Sequence, residues 1–330
     1  MDAPDTLTAP HGDTRTGTAG RPAREGGERQ LDGLLFFPVT PFTPAGEVDE
    51  DLLARHVDDG VKAGAGAVFV ACGTGEFPAL SLEEIEVCTR VAVAATAGRV
   101  PVYAAAGGPL PIARSQARCA ERVGADGLLL LPPYLVSSPP QGLLRYVEEV
   151  AAASALPVIV YQRANAVLTP HSAAELTRLP GVIGIKDGLG DMELMHRIVR
   201  AVRREAGEDF LFFNGLPTAE MTMHAYRAVG VPLYSSAAFA FAPEVALDFH
   251  RAFTGGDDAR ARLLLDEFFV PLVTLRNEVP GYAVSLVKAG VRMRGLPVGG
   301  VRAPLMDPTP AHLDRLEKLV DHGLRLVTAR

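Results

Sequence analysis

The run Gly181-Val-Ile-Gly-Ile-Lys186-Asp-Gly188 carries the residue best suited to covalent chemistry. Apolar and glycine steps lead into a lysine, and Asp187-Gly188 then breaks the run. This reads as a short buried strand whose last side chain is Lys186. A low-dielectric site disfavours the ammonium and lowers its pKa. An amine that is partly neutral near pH 7 can attack a ketone and form a Schiff base. The chain has 28 arginines and only four lysines, Lys62, Lys186, Lys288 and Lys318. The other three lie in segments of helical periodicity. In a chain that prefers arginine, a lysine at a strand end is suited to what arginine cannot do, which is to lose its proton.

Other reactive or polar groups also fall at the ends of apolar runs. They are Thr40, the loop Gly73-Thr74-Gly75-Glu76, Gly107-Gly108, Pro133-Tyr134, Tyr161 with Arg163, Asn214-Gly215, and Ser235-Ser236. Tyr161 reads either as core, its hydroxyl tied to backbone, or as a proton shuttle beside the lysine. Thr74 either satisfies its own turn or joins the backbone N–H groups of its glycine neighbours in holding a carboxylate. Glu76 reads as a supporting or helix-start residue. Arg163 is either a solvated charge or a bidentate grip for a second carboxylate. The serine pair reads equally well as loop or as substrate contact. Cys72 reads as a small buried residue. One amine, two phenols, several hydroxyls and backbone donors suit a Schiff-base lyase acting on a small oxo-acid.

These groups need a scaffold that brings many strand ends together. From Leu31, short apolar runs alternate with helical patterns. The strands are expected at 34–40, 67–72, 100–106, 127–131, 156–161, 182–186, 210–213 and 232–235. Helices follow each, with Asp49, Ser81 (with Glu84 as a capping box) and Thr169 as N-caps. One of them is expected over 217–229. Eight such units within 31–255 predict an α/β fold, a (β/α)8 TIM barrel with its site at the C-terminal strand ends. The continuously apolar strands fit parallel strands covered on both faces. An open doubly wound sheet is the alternative, but GxGxxG is matched only by its first two glycines at Gly73 and Gly75. Residues 256–330 predict a C-terminal extension of three helices, over 257–276, 281–294 and 310–328. Residues 1–30, polar and without an apolar core, read as a disordered tail and not as a secretory signal.

Composition excludes several partners. Net charge is −7 and no basic block stands out, so neither nucleic acid nor an anionic membrane is expected. No apolar run is long enough to span a bilayer. Three unpaired-looking cysteines and no signal predict free thiols and a cytoplasmic location. No HExxH or CxxC occurs, so no metal is expected, and Schiff-base chemistry on one lysine requires no other cofactor.

The motifs Phe37-Pro-Val-Thr-Pro-Phe42, Gly73-Thr-Gly-Glu-Phe77, Ala105-Ala-Gly-Gly-Pro109, Leu129-Leu-Leu-Pro-Pro-Tyr134, Val160-Tyr-Gln-Arg163, Ile183-Gly-Ile-Lys-Asp-Gly188, Asn214-Gly-Leu-Pro-Thr-Ala-Glu220 and Val231-Pro-Leu-Tyr-Ser-Ser236 together resemble the dihydrodipicolinate synthase / N-acetylneuraminate lyase superfamily. The resemblance runs over about 31–253. It implies Lys186 as the Schiff-base lysine and Tyr161 as the proton-shuttling tyrosine. It implies that Tyr134 reaches across a subunit interface, and that the Gly73 to Glu76 loop holds the carboxylate next to the ketone. It further implies a homo-oligomer, dimer or tetramer. Two departures stand out. The loop has Gly73 where synthases and lyases have a first hydroxyl residue, and the synthase arginine position falls near Ala166. Both argue against dihydrodipicolinate synthesis and fit a dehydratase branch acting on a sugar diacid. Arg163, Gln162 and Asn165 are the candidates for the diacid's far carboxylate. Gly215, Ser235 and Ser236 complete the expected substrate contacts. An aldolase of a 2-keto-3-deoxy sugar acid and a non-catalytic sugar-acid sensor are the competing readings.

Overall fold

The computed structural model describes residues 31–328, so the expected tail at 1–30 lies outside the described residues. Eight parallel strands close into a barrel in chain order. They are β1 (Leu35–Phe36), β2 (Ala67–Val70), β3 (Val102–Ala106), β4 (Gly127–Leu130), β5 (Val158–Gln162), β6 (Val182–Asp187), β7 (Leu211–Asn214) and β8 (Leu233–Ser236). The helices between them are α1 (Glu50–Ala63), α2 (Leu82–Thr96), α3 (Leu110–Arg122), α4 (Pro140–Ala151), α5 (Pro170–Leu176), α6 (Met192–Ala206) and α7 (Met223–Ala228). After β8 come α8 (Pro243–Gly255), α9 (Asp258–Leu264), α10 (Val270–Asn277), α11 (Tyr282–Met293) and α12 (Pro310–Thr328).

The predicted caps are in place. Asp49 accepts from the Leu52 amide, and Ser81 and Glu84 form a reciprocal capping box. Thr169 accepts from the Ser172 amide at the start of α5. Several boundaries differ from the sequence expectation. β1 pairs with β2 and β8 only at Leu35 and Phe36, because Pro38 lacks an N–H for the ladder. The helix expected over 217–229 is a 3-10 turn at Ala219–Thr222 followed by α7. There Thr218 has φ 54°, and the Asn214 side chain captures the Ala219 carbonyl at 3.2 Å. The helix expected over 257–276 widens to a π turn at Leu265–Phe269 between α9 and α10.

Strand alternation sorts the apolar side chains into two layers. Leu35, Phe69, Tyr103, Leu129, Ile159 and Phe213 fill the barrel, with Phe69 stacked between Phe37 (4.7 Å) and Tyr103 (4.8 Å). Val68, Val70, Leu128, Leu130, Val158 and Val160 face outward into the helix layer. The segment after α11 returns to the mouth of the barrel, where the Phe42 amide donates to the Val298 carbonyl at 3.0 Å. α12 is tied to α8 through Arg260, which bonds both Asp248 and the Leu326 carbonyl.

Candidate active site

β6 delivers Lys186 into the barrel by an irregularity in its pairing. Val158 pairs with Val182 and Ile159 with Gly184, so Ile183 has no opposite residue. The extra residue switches the facing of the strand. Ile183 packs on the inner layer, Ile185 on the outer one, and Lys186 turns inward. The strand ends one residue later than its sequence suggests, at Asp187.

Lys186 is 4% exposed and sits among aromatic rings. Its Nζ lies 3.9 Å from the Phe37 ring centre, 4.5 Å from that of Tyr161 and 5.3 Å from that of Phe213. Among the described residues no carboxylate pairs with it. Burial pushes its pKa down to about 7, the neighbouring Arg163 guanidinium acts in the same direction, and the Cys72 thiol opposes. The ring faces favour the ammonium and offset part of the burial cost. The group is therefore an amine that exchanges its proton in the neutral range, as a carbonyl nucleophile requires. Its condensation with a small ketone is expected to speed up as pH rises through about 7 and to level off above. A trapping rate that is flat between about pH 6 and about pH 9 would contradict a depressed amine.

Asp187 has the opposite fate. Its Oδ1 accepts from Gln162 Nε2 (2.7 Å) and the Leu189 amide (3.3 Å). Its Oδ2 accepts from the Gly190 amide (3.3 Å) and, in a short bond, from the Tyr226 hydroxyl. Four donors satisfy a fully buried carboxylate. They also pin β5, the loop after β6 and α7 around the base of the lysine.

Tyr161 lies directly opposite Lys186 in the ladder. Its hydroxyl donates to the Gly215 carbonyl at 3.0 Å and accepts from Arg163 Nη1 at 3.0 Å. Burial raises the phenol pKa, and the Arg163 charge and hydrogen bond oppose the rise. Two glycines make room for this pair. A Cβ on Gly215 would stand 2.3 Å from Lys186 Cε, and one on Gly188 would stand 2.7 Å from Tyr161 Cε2. Only glycine fits at either place.

The loop after β2 supplies open donors. Thr40 Oγ1 donates to the Gly75 carbonyl at 2.7 Å, and the Glu76 amide donates to the Gly73 carbonyl at 3.2 Å. Among the described residues, the amides of Gly73, Thr74 and Gly75 and the Thr74 hydroxyl donate to no protein acceptor. Successive free amides in such a turn form an anion-binding concavity.

Other expected contacts are placed differently. Glu76 faces away from the open donors. It is buried, with Oε1 bonded to Lys288 Nζ at 2.7 Å and Oε2 to the Arg302 amide at 2.8 Å, so both oxygens are engaged by the C-terminal extension. Ser235 and Ser236 part company because successive strand residues face opposite sides. Ser235 faces the barrel, its hydroxyl 3.4 Å from the Asn214 carbonyl. Ser236 points outward and bonds Glu220, a buried carboxyl whose pKa burial pushes up to about 7. Of the three candidates for a far carboxylate, Gln162 is taken up by Asp187 and the Leu168 amide. Asn165 bonds the carbonyls of Pro133 and Val136. Arg163 is exposed and keeps donors free. Tyr134 is 67% exposed, next to Leu135 and Val136, at the tip of the loop after β4.

The aromatic walls, Phe37 and Phe213, and the buried Lys288 do not stand out in the sequence as parts of the site. A period-two count from Leu35 would have placed Phe37 on the inner face. Nothing in α11 marks Lys288 as buried. The cysteines Cys72, Cys88 and Cys119 are buried and free, and burial pushes the Cys72 thiol up to about 12. Among the described residues no group of three or more His, Cys, Asp or Glu is arranged to hold a metal ion, and no helix is long and apolar enough to cross a membrane.

Known proteins resemble this chain over most of its length. The model of the dihydrodipicolinate synthetase family matches residues 30–323. Probable 5-dehydro-4-deoxyglucarate dehydratase 1 of Streptomyces coelicolor is 59% identical over 296 residues, covering 89% of this chain and 94% of that protein. The 5-dehydro-4-deoxyglucarate dehydratase of Pseudomonas putida is 43% identical over 290 residues, covering 88% and 94%. Among solved structures, YagE of E. coli K12, a prophage protein of the dihydrodipicolinic acid synthase family in complex with pyruvate, superposes with TM-score 0.79 at 26% identity, covering 88% of this chain and 98% of that one. Dihydrodipicolinate synthase from Bacillus clausii shares the fold with TM-score 0.82 at 24% identity, covering 89% and 98%.

Proposed function

This chain belongs to the dihydrodipicolinate synthetase family, and from that membership we propose that it is a decarboxylating dehydratase. The substrate is 5-dehydro-4-deoxy-D-glucarate and the products are 2,5-dioxopentanoate, water and CO2. Relatives at 43% and 59% identity bear the name of that dehydratase. The observation that carries the mechanism is the unpaired amine of Lys186, buried beside the Tyr161 phenol and brought near pKa 7.

The free donors of Gly73 to Gly75, with the Thr74 hydroxyl, receive the C6 carboxylate. The adjacent C5 ketone then meets Lys186, which condenses with loss of water to a protonated imine. The imine draws electrons and acidifies C4. Tyr161 carries the C4 proton away, aided by the Arg163 guanidinium that favours its phenolate. The enamine expels the C3 hydroxyl, protonated by Tyr161 or by Ser235 on the inner face of β8. The new C3=C4 bond is conjugated with the imine. The electrons of the C1–C2 bond flow into it and release CO2, with Arg163 orienting the C1 carboxylate beforehand. Tautomerisation at C2 gives the aldehyde, and hydrolysis of the imine frees the product and Lys186. One amine thus serves both eliminations.

The same membership supports a homo-oligomer, dimer or tetramer. The exposed Tyr134-Leu135-Val136 tip supports an interface at that loop. The buried free thiols support a cytoplasmic setting.

The purified protein is expected to release one CO2 per 5-dehydro-4-deoxy-D-glucarate consumed, and borohydride with substrate is expected to fix one adduct on the peptide holding Lys186. Pyruvate release without CO2 would make it an aldolase instead. Binding without turnover would make it a sensor, and an adduct elsewhere would remove Lys186 from the mechanism.

A further inference from the structure

Lys288 lies on α11 and is fully buried, far along the chain from the reacting amine. Its Nζ donates to Glu76 Oε1 at 2.7 Å and stands 3.9 Å from the centre of the Phe42 ring. The guanidinium of Arg302 lies 4.0 Å from the same ring, and the Arg302 backbone amide holds Glu76 Oε2 at 2.8 Å. Arg302 also bonds the Ala79 carbonyl and both oxygens of Glu84, so α2 joins the same clamp. A buried ion pair is poor evidence of stabilisation, because desolvating two charges costs about what their attraction returns. Something else must account for this one. Glu76 has φ 62°, a left-handed backbone unusual for a side chain of its kind. Such a conformation persists only where the surroundings over-determine it. It closes the turn that leaves the amides of Gly73 to Gly75 free, while Thr40 fixes the Gly75 carbonyl from the opposite side.

We propose that Lys288 and Glu76 are positioning residues for the oxo-acid carboxylate, with the C-terminal helices holding the donor loop in its receiving shape. This rests on the Schiff-base reading given above. It assigns the helical extension a part in substrate recognition at a distance from the reacting carbon.

The test compares two ketones that differ in the carboxylate. Pyruvate carries one next to its carbonyl, and hydroxyacetone carries none. Borohydride trapping of each is measured on the wild type, on Lys288→Met, and on Val291→Ala, a core substitution in the same helix. Lys288→Met is expected to need about tenfold to a hundredfold more pyruvate for half-maximal trapping, with hydroxyacetone trapping unchanged. Val291→Ala is expected to leave both unchanged. Equal losses with the two ketones, or unaltered pyruvate trapping, would overturn the proposal. If Lys288→Met does not fold, Glu76→Gln, of the same shape without the charge, takes its place: the same selective loss of pyruvate trapping is expected, and the same two results would overturn the proposal. If the wild type traps neither ketone, the Schiff-base reading fails by itself. Calorimetric pyruvate binding, weakened in Lys288→Met or not, then decides the positioning role separately.

Discussion

Replacing Lys186 by methionine is expected to reduce turnover to background and, at pH 7, to make the protein harder to unfold. The first effect follows from loss of the amine that forms the imine in the proposed mechanism. The second follows from the cost of holding the amine where it is. In the folded protein its pKa is about 7, whereas an unfolded chain returns it to about 10.4. Between these values the unfolded state binds more protons, so this residue makes stability rise with pH over that window. At pH 7 and below, that contribution is missing, and a gap of about three units amounts to about 4 kcal/mol. The aromatic faces around Nζ return part of it. Methionine is of similar length, apolar and compliant, and needs no proton. A Tm gain of roughly 5 °C or more at pH 7 is expected, shrinking toward pH 10 as the wild type regains its share. Thermal unfolding of both proteins across that range checks it. A gain that does not depend on pH would mean that packing, not ionisation, separates them.

Tyr161→Phe is expected to lower kcat by about 10²- to 10⁴-fold, the usual worth of a positioned acid–base group. The ring remains, so the wall 4.5 Å from Lys186 Nζ is kept. The missing hydroxyl removes the acceptor for Arg163 Nη1 and the donor to the Gly215 carbonyl. Arg163 is exposed and recovers water in its place. The two chemical steps can be read separately. Borohydride trapping of pyruvate reports the imine, and exchange of the pyruvate methyl protons in D2O reports removal of the proton next to it. The exchange is expected to fall far more than the trapping. An equal fall in both would place Tyr161 in imine formation instead, and unchanged exchange would remove it from proton transfer.

Much of the scaffold was legible because its signals are local. The apolar runs of β2 to β6, the caps at Asp49 and Ser81, and the lysine closing β6 all act over a few residues. Tyr161 was legible as a strand end next in order to Lys186. What escaped depends on contacts between distant parts of the chain. Glu76 meets Lys288 from 212 positions away, so neither residue could reveal the other. Ser236 was grouped with Ser235 although alternation sends adjacent strand residues to opposite faces. Gln162 and Asn165 looked available because their partners, Asp187 and the carbonyls of the loop after β4, lie on other strand ends. Pro38 shortened β1 against its apolar pattern for the same reason: pairing needs donors as well as burial.

The unpaired Ile183 has a consequence for how this strand tolerates change. Lys186 and Asp187 are neighbours with opposite requirements, an amine left without partners and a carboxylate with four donors. Lys186 stands opposite Tyr161 and Asp187 opposite Gln162, and this register, taken up after the extra residue, sets which of them faces the barrel. A slip of that ladder by one residue would turn the carboxylate toward three aromatic rings and the amine toward Tyr226. Conservative substitutions in this stretch are therefore a lesser hazard than changes of length. For transplanting the amine to another barrel, the smallest portable unit is the strand together with its irregular step, its following Gly188 and Gly215 just after β7.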